Sequence, residues 1–109
     1  MKLKFYEHNK KSPTKEYIDQ CNDQVFEKIS RQIEYLKEYG LRPEVINLKK
    51  LKGYPIWEVR ILGRDNLRIL CCQSNDIIWI LHIFAKKTMK TPLKDLVIGL
   101  KRYNEVIDN

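Results

Sequence analysis

Apolar and polar residues change their period several times along this chain of 109 residues, and each change predicts an element. Lys2 to Tyr6 alternates, with Leu3 and Phe5 on one side and Lys2, Lys4 and Tyr6 on the other, the pattern of a short half-buried strand. Ser12-Pro13 supplies an N-cap followed by a first-turn proline, so a helix begins there. The helical pattern runs on to Tyr39, where Gly40 and Pro43 stop it. One unbroken helix over this span would be roughly 40 Å long at 1.5 Å per residue. A chain of this size packs into about 30–35 Å, which rules out a single rod. Asn22-Asp23, both good caps, therefore predicts a break and a helical hairpin. Its second arm carries Phe26, Ile29, Ile33 and Leu36 on one stripe, with Glu27, Lys28, Arg31, Glu34, Lys37 and Glu38 as solvated surface.

Further on, the period shortens to two. Ile56 to Leu62 places Trp57, Val59 and Ile61 on one face and Glu58 and Arg60 on the other. Gly63-Arg64-Asp65-Asn66 suits a hairpin turn. Leu67 to Gln73 follows, with Leu67, Ile69 and Cys71 inward and Arg68 on the polar face that it shares with Arg60. After Ser74-Asn75-Asp76, Ile77 to Phe84 is apolar on both faces, which predicts a central or doubly covered strand. Thr91-Pro92 reads as an N-cap and first-turn proline. Leu93, Leu96, Val97, Leu100, Tyr103 and Ile107 then form the stripe of a last helix. The chain is thus predicted to be α+β, in the order β-α-α-β-β-β-α, as a single domain over 1–109. A small, largely antiparallel sheet packs against the helical hairpin and the C-terminal helix.

Charge adds a direction to this picture. The net charge of +7 is uneven: residues 1–40 carry eight Lys/Arg against seven Asp/Glu, and residues 41–109 carry thirteen against seven. The sheet and its flanks hold the excess, which points to an anionic partner, nucleic acid before membrane. No apolar run approaches the roughly 18 residues of a membrane span, and the N-terminus lacks the apolar core of a signal peptide. The expectation is a soluble, cytoplasmic protein. Cys21, Cys71 and Cys72 lack CxxC spacing, and Cys71 and Cys72 fall on opposite faces of one strand. Reduced thiols are the simplest reading. His8 and His82 stand far apart, so no metal site is expected, and no cofactor is implied.

Two basic stretches carry candidate chemistry. Lys49, Lys50 and Lys52 lead into the sheet, where they serve either as a solvated connector or as phosphate contacts. Lys86, Lys87 and Lys90 stand just ahead of the last helix, whose N-terminus presents unpaired N–H groups; with Thr91 they make an anion site. The competing reading is a basic loop before an ordinary capped helix, and Arg60 and Arg68 nearby favour phosphate binding. His82, the polar side chain of the third strand, reads as a hydrogen-bonded structural histidine.

KKLKG (49–53), WEVR (57–60), the arginine of NLRIL (66–70) and LHIFAKKTMKTP (81–92) together resemble the RelE/HigB superfamily of toxins. They are most similar to the branch described as phage-derived RelE-like proteins, marked by a KKT-x-KTP segment before the last helix. The resemblance covers residues 1–107, with its motifs in 49–92. It implies a RelE-like fold and the toxin of a type II toxin–antitoxin system: a metal-independent, ribosome-dependent mRNA endonuclease. Its implied partners are mRNA on the ribosome and a cognate antitoxin, with a helix-turn-helix protein as one candidate. Carried over by position, Arg60, Arg68 and Lys87 match basic catalytic positions, and Lys50, Lys52, Lys86, Lys90 and Thr91 fall among expected RNA contacts. Glu58 stands where RelE-type sequences often carry a cation; a partner holding Arg60 is favoured over a general base. The tyrosine or histidine that several relatives use near the C-terminus is not evident, and Tyr103 reads as core. The alternatives are a ParE-like inhibitor of DNA gyrase, which need not keep the Arg60/Arg68/Lys87 set, and a nucleic-acid-binding module without catalysis.

Overall fold

Ser12 and Asn22 divide the helical region where their side chains suggest. Ser12 accepts a hydrogen bond from the Lys15 amide to open α1 (Pro13–Asp19), and Asn22 accepts one from the Val25 amide to open α2 (Asp23–Tyr39). Gly40 closes α2 at φ 74°, a conformation that costs a residue without Cβ little. The computed structural model describes residues 1–108. It measures 36 × 32 × 28 Å, short in every direction for the roughly 40 Å rod that the two helices would make if fused. The strands are β1 (Lys2–Phe5), β2 (Leu48–Lys50), β3 (Trp57–Ile61), β4 (Leu67–Ser74) and β5 (Ile77–Ala85), and the last helix is α3 (Leu93–Ile107).

The sheet runs β1-β5-β4-β3-β2, antiparallel except for β1, which lies parallel beside β5. The α+β architecture, the helical hairpin and the central place of β5 agree with the sequence pattern. β2 was not foreseen: three residues within a lysine-rich run carry no readable alternation. Its lysines also suit an edge strand, because charge there discourages pairing with another sheet.

Two apolar clusters cover the two faces. Toward α1 and α2 the sheet presents Val59, Ile61, Leu67, Ile69, Cys71, Ile78 and Ile80, which pack with Ile18, Ile29 and Leu36. Toward α3 it presents Leu70, Cys72, Leu81 and Phe84, which pack with Leu96 and Val106. Cys71 and Cys72 thus do fall on opposite faces, and burial pushes both thiols up, that of Cys72 to about 12. A register shift beside Leu70/Cys71 inserts an extra residue in β5 opposite β4, which lets Leu81 join the α3-side cluster.

Two expected stripes hold in part. On α2, Ile29 and Leu36 are buried and Ile33 packs against the core as predicted, but Phe26 is 44% exposed and Gln32 joins the buried face, donating to the Ile46 carbonyl at 2.7 Å. On α3, Leu93 is 73% exposed while Leu96, Gly99 and Val106 face the sheet. Gly99 explains the departure on α3. A Cβ built on it would lie 2.7 Å from Leu70 Cδ1, so this close approach fixes which side of the helix meets the sheet. Thr91 is also not the N-cap: Pro92 occupies that position without a side-chain bond, because the Thr91 hydroxyl is engaged elsewhere.

Gly99→Val should cost about 1–3 kcal/mol by overpacking. Urea unfolding checks this, and the cost should shrink in a Leu70→Ala background if the Gly99–Leu70 contact is its source.

Candidate functional site

The β3–β4 hairpin sets the charged groups before any side chain chooses a rotamer. Its register puts Arg60 opposite Arg68 and Glu58 opposite Leu70. With period two, Glu58, Arg60 and Arg68 share the α3 side of the sheet. Two like charges directly across a strand pair repel, and Glu58, diagonal to Arg68, supplies the compensation.

The carboxylate is fully engaged. Glu58 Oε1 lies 3.3 Å from Arg68 Nε and accepts from Lys86 Nζ at 3.4 Å, while Oε2 accepts from the Thr91 hydroxyl at 2.7 Å. Arg68 Nη1 donates to Asn66 Oδ1 at 2.7 Å and to the Leu67 carbonyl at 3.1 Å. The Asn66 side-chain amide donates to the Lys86 carbonyl, and the Lys86 amide donates back to the Asn66 carbonyl at 2.9 Å. These bonds close a ring joining β3, β4, the segment after β5 and the approach to α3. Glu58 is 6% exposed and Arg68 8%. A buried ion pair is tolerable only when its remaining lone pairs and protons are satisfied. That condition is met: among the described residues no buried side-chain nitrogen or oxygen lacks a partner.

Arg60 differs from Arg68. It is exposed, and its guanidinium makes no hydrogen bond or ion pair among the described residues. It opens onto a cleft of about 520 Å³ whose charged lining is Lys49, Arg60, Arg68 and Lys86 against Glu58 alone, with Thr88 and Met89 at the rim. Four cations around one carboxylate make an anion-receiving surface, and the open arginine fork of Arg60 suits phosphate oxygens. A larger hollow of about 870 Å³ lies near β1 and the end of α3, but Glu7, Glu105 and Asp108 stand among its cations. That mixture does not select an anion.

The residues picked out from sequence divide accordingly. Glu58, Arg60, Arg68 and Lys86 converge on the cleft, and Thr91 joins them through Glu58. Lys87 is exposed and lines a neighbouring cleft with Tyr17 and Arg64. Lys50 pairs across from Trp57 and donates to the Tyr54 carbonyl at 2.9 Å, while Lys52 and Lys90 are exposed outside the cleft lining. Asn66 escaped the sequence reading of the site, and Lys49 was read only as one of three lysines that could meet phosphate. Lys49 pairs directly across from Glu58, so it shares that face; the signal was only which of two adjacent lysines follows the pleat. Asn66, at φ 49°, is where the turn re-enters the strand.

His82 is a tie to α3 rather than part of the cleft lining. Its Nε2–H donates to Asp95 Oδ1 at 2.8 Å, and its ring stacks on Phe84 at 5.4 Å between centroids. Burial is the main reason its pKa is lowered; the bond to Asp95 pulls it back up, and Arg102 and Lys94 add to the lowering.

In comparison with known families, residues 16–104 match the family described as Phage derived protein Gp49-like (DUF891). No curated protein matches the chain. No helix among the described residues is long and apolar enough to cross a membrane.

Glu58→Ala should cost roughly 3–5 kcal/mol, since it leaves Arg68 and Lys86 without their counter-charge. Thr91→Val should cost about 1 kcal/mol for one lost hydrogen bond, and denaturant unfolding ranks the two variants. A second outcome concerns pH. The lowered folded-state value of His82 means that the unfolded chain binds that proton more readily. Its contribution to stability is therefore complete above pH 6.5 and is lost as pH falls through the lowered value. His82→Gln should flatten the stability profile below pH 6.5 relative to the native chain.

Proposed function

The chain belongs to the Gp49-like family of phage-derived proteins, and on that footing we propose that it is the toxin of a type II toxin–antitoxin pair. In this reading it acts as a RelE/HigB-type mRNA endonuclease on the ribosome, without a metal, and is neutralised by a cognate antitoxin. The observation that carries the reading is the pair of facing arginines, one locked to Glu58 and one unpartnered, at a cleft with four cations against one carboxylate.

The chemistry follows from what such a surface offers a phosphodiester. The ribose 2′-oxygen attacks the adjacent phosphorus in line, and the bond to the 5′-oxygen of the next nucleotide breaks. The products are a 2′,3′-cyclic phosphate and a free 5′-OH; one proton leaves the 2′-OH and one reaches the leaving oxygen. Negative charge accumulates on the nonbridging oxygens in between. Preorganised donors aimed at that charge give the largest catalytic return. Arg68 serves best as the fixed donor, because Glu58 and Asn66 hold its fork in place. Arg60, free in solution, closes onto the phosphate when RNA arrives. Lys86, in the cleft lining, adds charge while bracing Glu58. With both Glu58 oxygens occupied, the residue acts as the anchor of Arg68 and Lys86.

Expression without a partner should arrest growth, and primer extension on cellular transcripts should show new 5′ ends within codons. Arg60→Ala should lower cleavage by about 10²–10³-fold with an unchanged melting temperature, since Arg60 holds nothing else. Growth arrest with intact transcripts and inhibited gyrase would instead favour a ParE-like activity.

A further inference from the structure

The cleft described above does not end at its rim. It shares Asn66 and Lys86 with a second cleft of about 570 Å³, bounded by the end of α1, the cap of α2 and the β3–β4 turn. Asn66 and Lys86, bonded to each other through their backbones, form the ridge between the two. Beyond the ridge, Arg64 and Lys87 stand against Asp65, and Tyr17 supplies an aromatic ring that is 37% exposed. Asn22, also in the lining, gives its Oδ1 to the helix cap, which leaves its amide nitrogen as a donor.

A second neighbour meets the first cleft on its other side, sharing Asn47 and Arg60, and it too holds a tyrosine, Tyr35, likewise 37% exposed. Apart from the shared Arg60, its cations are already engaged: Lys28 donates to the Leu62 carbonyl at 2.8 Å, and Arg31 pairs with Glu27 at 2.9 Å. The two sides of the central cleft are therefore not equivalent. Of the two, the Tyr17 side is the one that adds to its aromatic face further cations free to meet phosphate, Arg64 and Lys87, the combination that single-stranded nucleic acid requires.

Resting on the endonuclease reading above, we infer that the Tyr17 cleft binds the nucleotide adjacent to the one held at Arg60 and Arg68. The RNA strand crosses the Asn66–Lys86 ridge, its next phosphate meets Lys87 and Arg64, and its base stacks on Tyr17. This gives Lys87 a substrate-positioning role one nucleotide away from the central phosphate. It also makes the Tyr17 cleft a determinant of sequence context.

The test is fluorescence anisotropy with 2′-O-methyl oligoribonucleotides, whose blocked 2′-oxygen prevents cleavage, as a dinucleotide and a hexanucleotide. Tyr17→Leu keeps apolar volume but removes the stacking face; it should weaken the hexanucleotide by about tenfold and leave the dinucleotide nearly unchanged. Tyr17→Phe should bind like the native chain, and Tyr35→Leu should be neutral on both probes. Lys87→Ala should weaken the hexanucleotide and reduce the salt dependence of its binding by about one phosphate contact. If Arg60→Ala weakens both probes while Tyr17→Leu and Lys87→Ala bind the hexanucleotide as the native chain does, the adjacent-nucleotide site is wrong and the cleft serves another class of partner. Equal losses for Tyr17→Leu and Tyr35→Leu also overturn it. If Arg60→Ala changes neither probe, the reading of the central cleft itself fails.

Discussion

A single buried carboxylate decides whether the charged side of this sheet can exist. The β3–β4 register brings Arg60 and Arg68 face to face, an arrangement that β-sheets otherwise avoid. Glu58 makes it tolerable by engaging Arg68 and Lys86 with one oxygen and Thr91 with the other. The interaction reaches past its own strand. Thr91 spends its hydroxyl on Glu58, so α3 starts at Leu93 after Pro92, without a capping side chain. Proline suits that entrance, because its fixed φ is already helical and it brings no N–H needing a partner. The local cost of an uncapped helix is thus offset by a satisfied buried charge.

The position of the network follows from how far α3 reaches. Gly99 lets the helix backbone approach Leu70 closely, and the α3-side cluster fills the middle of that face. Toward the β3–β4 turn the helix no longer covers the sheet, and charged side chains take over. Arg68 sits at the boundary, with its guanidinium fixed by Asn66, the Leu67 carbonyl and Glu58. Arg60, one strand nearer the edge and beside the three-residue β2, stays open. The two arginines are equivalent in the strand pattern and opposite in burial and bonding. A site that must both hold a geometry and accommodate an arriving anion gains from that difference.

Much of this was legible from the chain. The caps Ser12 and Asn22, the stop at Gly40, the hairpin turn and the doubly apolar β5 are local signals, and local physics decides them. The convergence of Glu58, Arg60, Arg68 and Lys86 was partly legible, because period two assigns strand faces. What escaped depends on tertiary contact. Phe26 and Leu93 sit on apolar stripes, yet helix rotation is settled by which neighbour packs closest, Gly99 on Leu70 in the case of α3. Thr91-Pro92 has the form of a cap, yet a carboxylate from β3 takes its hydroxyl. β2 has too few residues for its alternation to be read before its partner is known.

The lysine runs show why a basic motif is not one patch of charge. Lys49 and Lys50 are neighbours in sequence, but the pleat sends Lys49 toward Glu58 and Lys50 toward the Tyr54 carbonyl. Lys86 and Lys87 separate in the same way, one reaching Glu58 and the other the Tyr17 cleft. Charge counting alone sums such pairs, whereas strand geometry assigns each member to its own surface. A KK pair just past the end of a strand therefore places its two charges on two sides of a ridge. The same pair would be redundant for a single compact anion. On the proposed reading, the spacing of the motif, and not only its charge, suits this surface to a polymer.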